Sequence, residues 1–214
     1  FFENRAMRTP ILLATLITVI LTSCGESKPT VVESSETAEV AKYATPIHSF
    51  AHPNKAVVTH LNLDVNVDFD NQIISGSATY DIDVASGETR IAFDTRNLEI
   101  TSVSIDGEET KNWWLGEEKP FMGVPLEVEI SDASKVVSIV YATAKGAEAL
   151  QWLSPQQTAG KEHPFLFTQS QAILARSWLP CQDSPGIRYT YEATVKVPKD
   201  LMALMSATNP TEID

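Results

Sequence analysis

Hydrophobic and polar residues alternate one for one along "VTHLNLDVNVDFD", residues 58–70. Leu61, Leu63, Val65, Val67 and Phe69 fall on one side of an extended chain; Asn62, Asp64, Asn66 and Asp68 fall on the other. A period of two is the mark of a half-buried strand. "DNQ" at Asp70–Gln72 is turn chemistry. The alternation resumes at Ile74, Gly76, Ala78, Tyr80, Ile82 and Val84, so the two runs predict a hairpin of long antiparallel strands. Shorter runs follow at Arg90–Asp94, Glu99–Ile105, Leu126–Ile130 and Val136–Tyr141, with "IDGEE" as a turn signal between two of them. Tyr189, Tyr191, Ala193, Val195 and Val197 alternate again near the end. No amphipathic helix of ordinary length interrupts these runs. The pattern predicts an all-β domain, a large twisted antiparallel sheet folded as a saddle or sandwich.

The first 47 residues break this pattern. Met7 and Arg8 precede an apolar run of 11 residues, Ile11–Leu21, and then "LTSC" and Gly25. A membrane-spanning helix needs about 20 apolar residues. The arrangement of basic start, apolar centre and small residues instead predicts an export signal. A cysteine directly after Leu-Thr-Ser resembles a bacterial lipobox, which implies Cys24 as a lipidated N-terminus and a bilayer as partner; an ordinary signal peptide is the other reading. Gly25 in place of an aspartate is similar to lipoproteins sorted to the outer membrane, facing the periplasm or the cell surface. Residues 1–23 are therefore read as upstream residues plus signal. Residues 24–47 are read as a flexible tether, because their Ser, Thr and Glu content offers no sustained apolar face to bury. The globular domain is expected to run over residues 48–214.

Net charge narrows the partners. With 28 acidic and 16 basic residues the chain carries −12, which excludes the basic footprint that nucleic acids require. Two cysteines, Cys24 and Cys181, leave Cys181 without a partner if Cys24 is lipidated. An unpaired cysteine in an exported protein commonly serves as a small buried hydrophobe.

Candidate catalysis is sparse. His48 and His52 have helical metal-ligand spacing, but Ser49 stands where a zinc helix needs glutamate, and Pro53-Asn54 turns the chain. Cys181 and His163 are the residue types of a nucleophile and its base, though the sequence supplies no sign that they meet. No phosphate loop, dinucleotide fingerprint or nucleophile elbow occurs. The polar chemistry concentrates in "LFTQSQAILARSWLPCQDSP", residues 166–185. A buried arginine such as Arg176 needs a carboxylate. Asp183, ahead of Ser184-Pro185, suits a turn in which its carboxylate holds backbone N–H groups. On the residues alone, Gln169 and Gln171 are read as side chains that satisfy backbone groups at a strand edge.

Several blocks occur in order: "LQWL" at 150–153, "GKEHP" at 160–164, "LF", Gln169 and Gln171-Ala172, "LPCQD" at 179–183, and "VPK" with "ALMSA" at 197–207. Together they resemble the N-terminal domain of the leukotriene A(4) hydrolase branch of the zinc aminopeptidases, with weaker similarity back to His60. The resemblance implies a β-saddle that precedes a zinc domain and a C-terminal domain, both absent from these 214 residues. It implies zinc as cofactor of the longer enzyme, held by an HExxH motif that does not occur here. No catalytic residue and no metal ligand is then expected in this chain, which alone should cleave nothing. The resemblance places Gln169, Gln171 and Ala172 in the substrate cleft, with Gln171 receiving the free α-amine of a peptide. Arg176, Cys181 and Asp183 are left as structural support. The competing class is a non-catalytic β-sandwich lipoprotein that binds peptide or glycan.

Overall fold

The computed structural model describes residues 41–209, so the expected signal and Cys24 lie outside the described residues. Eleven strands follow one another: β1 (Ala56–Asp68), β2 (Ile73–Val84), β3 (Arg90–Thr95), β4 (Leu98–Ile105), β5 (Glu108–Thr110), β6 (Trp113–Leu115), β7 (Val124–Glu129), β8 (Val136–Thr143), β9 (Leu150–Leu153), β10 (Phe165–Thr168) and β11 (Thr190–Lys196). The helical pieces among the described residues are two single 3₁₀ turns, Pro155–Gln157 and Ala175–Ser177.

The alternation read in the sequence becomes a layered core. Six strands form one sheet in the order β11-β1-β2-β8-β4-β5, and three form a second in the order β3-β7-β6. Leu61, Leu63, Val65, Ala78, Tyr80, Ile139 and Tyr141 are buried on the inner side of the large sheet. They join one cluster with Ile91 and Phe93 of β3 and Leu126 and Val128 of β7. The Tyr80 and Phe93 rings meet across the layers with centroids 5.1 Å apart. Each such fully buried apolar side chain contributes about 1.5–3 kcal/mol. Asn62, Asp64 and Asn66 stay exposed on the opposite side of β1.

Three features differ from the sequence expectation. The sheet is mixed rather than antiparallel: β11 runs parallel to β1, from His60↔Thr190 to Asn66↔Lys196. Alternation in a half-exposed edge strand is the same in both directions, and only its partner sets which way it runs. Second, β5, β6, β9 and β10 are too short, at three or four residues, to write a period. Third, ordered contacts begin before His48: Tyr43 donates its N–H to Asn54 Oδ1 at 2.8 Å, and Asn54 Nδ2 donates to the Tyr43 carbonyl at 2.7 Å.

The β9–β10 hairpin forms a separate two-stranded sheet. Its second strand delivers the chain to Gln169. From there residues 169–189 cross over to β11, and this crossover carries the polar stretch singled out above.

Candidate functional site

The crossover is anchored from below. Arg176 is wholly buried, and so is Asp94 on β3. Asp94 accepts from the Ser49 hydroxyl at 2.6 Å, from Phe50 N–H at 2.7 Å and from Asp183 N–H at 2.8 Å. Its remaining neighbour is the Arg176 guanidinium at 3.5 Å. Burial pushes the Asp94 carboxyl above the usual carboxylate range; Arg176, the Ser49 hydroxyl and the two backbone donors pull it back down. Arg176 spends its other donors on Asp183 Oδ2 at 3.0 Å and on the carbonyls of Met122 at 2.7 Å, His48 at 2.8 Å and Asp183 at 3.1 Å. The guanidinium's planar fork suits several acceptors held at fixed angles.

One glycine makes room for this. Gly123 follows Met122 at φ +78, where a Cβ would stand 2.2 Å from the Thr95 carbonyl oxygen. Only a residue without a side chain fits that turn, and the turn aims the Met122 carbonyl at Arg176.

Gln182 does similar work beside the hub. It is 2% exposed. Its Oε1 accepts from Val58 N–H at 3.0 Å, and its Nε2 donates to the carbonyls of Ala56 at 3.1 Å and Ala92 at 3.3 Å. The register of β1 slips between Val58 and His60, a bulge that leaves Thr59 without a partner beside Val58. Gln182 thus completes the backbone bonding of two strands. Sequence reading missed Asp94, Ser49 and Gln182. The available signal was Asp94 itself, a charge at the end of the otherwise buried run "IAFD".

Cys181 lies next to this network. Its backbone exchanges both bonds with Asp94, N–H to carbonyl, at 2.7 and 3.2 Å. The thiol is buried, and burial, reinforced by Asp183 and Asp94, pushes it well above the usual thiol range. His163 is exposed in the β9–β10 loop and makes no side-chain bond to Cys181 among the described residues. The two therefore form no nucleophile–base pair. His48 and His52 are likewise exposed, and His48 serves the hub through its carbonyl alone.

Above the hub the three cleft candidates share one surface turn. Gln169, Gln171 and Ala172 are all exposed, and the Gln171–Ala172 peptide is cis. Gln169 N–H donates to the Ala149 carbonyl at 2.8 Å. Gln169 Oε1 accepts from Gln171 N–H at 3.0 Å, so this side chain is engaged with its own turn. The Gln171 side-chain amide has no hydrogen bond among the described residues. It presents a free carbonyl acceptor and both N–H donors of its amide to solvent. An open depression of about 500 Å³ lies at the other end of the hairpin, lined by Leu153, Gln157, His163 and Phe165 among others. It is separate from the glutamine turn by the length of β10.

The arrangement offers hydrogen-bonding groups suited to recognising polar ligands. Among the described residues, no cluster of three or more His, Cys, Asp or Glu could hold a metal ion. Zinc, which the fold family implies, does not fit the residues described here.

Comparisons with known proteins agree with the fold. Residues 57–212 match the Peptidase M1 N-terminal domain. The chain is 39% identical over 171 residues to a leukotriene A-4 hydrolase from Xenopus laevis, covering 77% of this chain and 28% of that protein. It is 33% identical over 163 residues to leucine aminopeptidase 2 from Neosartorya fischeri, covering 73% and 26% respectively. An M1 zinc metallopeptidase variant from Deinococcus radiodurans, solved with a Tyr-Ser-Ala substrate, shares the fold with a TM-score of 0.57 at 19% identity, covering 77% of this chain and 38% of that one. The chain spans less than a third of the length of these two curated relatives.

Proposed function

Since the chain belongs to the M1 peptidase family through its N-terminal domain, we propose that it forms the substrate-recognition wall of a zinc-dependent aminopeptidase. Its substrate class is peptides with a free N-terminus. The observation that carries this reading is the contrast within the glutamine turn. The Gln169 side chain is engaged by the Gln171 backbone N–H, whereas Gln171 keeps its side-chain carbonyl uncommitted at an exposed position.

A side-chain carbonyl held at fixed depth accepts a hydrogen bond from an ammonium donor. A peptide whose amine is blocked leaves that carbonyl desolvated and unpaired, at a cost of about 1–3 kcal/mol. That difference selects chain ends over internal bonds. Ala172, small and exposed, leaves the space beside Gln171 open to the substrate. Zinc in such an enzyme activates water and polarises the scissile carbonyl. Its ligands are sought outside the residues described here, and peptide cleavage is accordingly assigned to the longer enzyme rather than to this chain.

In the enzyme that carries this domain, Gln171→Leu should lower kcat/KM for free-amine peptides about tenfold or more. Unchanged kinetics would remove Gln171 from the site.

The sequence pattern at Ile11–Cys24 supports a second part of the proposal: export and lipid attachment at Cys24, with the domain standing off an outer membrane. Cys24→Ser should move the protein from the membrane fraction to the soluble fraction. Retention of the variant in membranes would end that reading.

A further inference from the structure

The turn that presents Gln171 is pinned at the residue between the two glutamines. Ser170 is half-buried, while Gln169 and Gln171 on either side of it are exposed. Ser170 is held at two atoms. Its carbonyl accepts from Leu174 N–H at 2.8 Å. Its hydroxyl accepts from the Trp178 indole Nε1–H at 3.1 Å. Trp178 follows the Ala175–Ser177 turn and packs against the hydrophobic core, so its ring is a fixed donor rather than a mobile one. Ser177 closes the frame: its hydroxyl donates to the Leu174 carbonyl at 2.8 Å and accepts from Ala149 N–H at 3.0 Å. Ala149 is the residue whose carbonyl receives Gln169 N–H. The path therefore runs from the buried Arg176 segment, through Ser177 and Trp178, to the backbone on both sides of Gln171.

A single exposed glutamine side chain curled onto the next-but-one amide, as in Gln169, holds such a turn weakly. Long exposed side chains lose rotamer entropy on fixing, which offsets most of one neutral hydrogen bond. The indole adds a donor whose position is already set by packing.

We propose that Trp178 and Ser170 are positioning residues for Gln171: the indole–hydroxyl bond fixes the turn so that the Gln171 carbonyl meets the substrate amine. This rests on the amine-recognition reading of Gln171. Neither residue touches the substrate.

The test compares Ser170→Ala, Ser170→Thr, Trp178→Phe and Gln171→Leu. Kinetics are measured in the enzyme that carries this domain, with a free-amine peptide as substrate. Backbone amide exchange at Gln171 is measured in this chain. Ser170→Ala and Trp178→Phe should each raise KM about threefold to tenfold with kcat nearly kept, the size of one lost neutral hydrogen bond. Both should speed exchange at the Gln171 amide, and Ser170→Thr, which keeps a hydroxyl, should restore KM and exchange. If Gln171→Leu impairs the enzyme while both clamp variants leave KM and exchange unchanged, the positioning role is overturned and the recognition reading stands. If Gln171→Leu is itself neutral, the recognition reading fails and the positioning role falls with it. A loss confined to melting temperature, with KM unmoved, also overturns the proposal and leaves the bond a purely structural one.

Discussion

Arg176 and Asp94 face each other at 3.5 Å, both wholly removed from solvent, although 82 positions separate them in the chain. Removing one member of such a pair strands the other as an uncompensated charge, at about 3–5 kcal/mol. Arg176→Met should cost that much in urea denaturation. Adding Asp94→Asn to it should recover part of the loss, because the fully buried carboxylate is then gone and only the partly buried Asp183 is left without its cation. A double variant as unstable as the sum of the singles would show that the two side chains act independently.

Gln182→Leu preserves volume and removes all three bonds to the strand backbones. Each stranded buried group costs about 1–3 kcal/mol, so a loss of about 3 kcal/mol or more is expected. Amide exchange at Val58 should quicken more than exchange at Leu63, which sits in regular pairing further along the same strand.

Cys181 should resist alkylation in the native protein at neutral pH. Its thiol is buried and held well above the usual range by that burial and by the neighbouring carboxylates, so little thiolate forms. Peptide mapping after brief iodoacetamide treatment should find Cys181 unmodified, with full labelling only in denaturant. Stoichiometric native labelling would mean that the segment opens.

Stability should fall in alkali. Burial raises the phenols of Tyr80, Tyr141 and Tyr189 and the thiol of Cys181 in the folded state. Groups whose folded value lies above the unfolded one favour the native state fully below the unfolded pKa and lose that contribution as pH rises. The loss should begin near the ordinary thiol value of about 8.5 and steepen past about 10, the ordinary phenol value. The buried phenols of Tyr80 and Tyr141 should add their phenolate absorbance in one step, together with the loss of far-ultraviolet dichroism. Gradual ionisation of these two before unfolding would contradict their burial.

Half-burial is what made β1, β2 and β8 readable. A strand with one dry side and one wet side writes its period into the sequence, and the Leu61–Val67 series did so without ambiguity. β9 and β10 wrote nothing comparable, since neither reaches three full repeats. The direction of β11 depends on a partner about 130 residues away and leaves no local trace. The site divides in the same way. Gln169 and Gln171 look identical in the sequence, and their difference comes from one bond, Gln169 Oε1 to Gln171 N–H, that only the folded turn displays. The hub was half visible. Arg176 announced that it needed a carboxylate, but nothing near it in the chain named Asp94, whose other partners are at 49, 50 and 183.

The parallel pairing of β11 with β1 has a consequence for synthesis. β1 leaves the ribosome about 130 residues before the strand that completes it. Closing a loop of that length is entropically slow, and parallel pairing gains nothing from a hairpin. Until β11 arrives, the β1 edge of the large sheet stays open on the nascent chain. The parallel pairing that completes the large sheet should therefore be among the last parts of the domain to take shape.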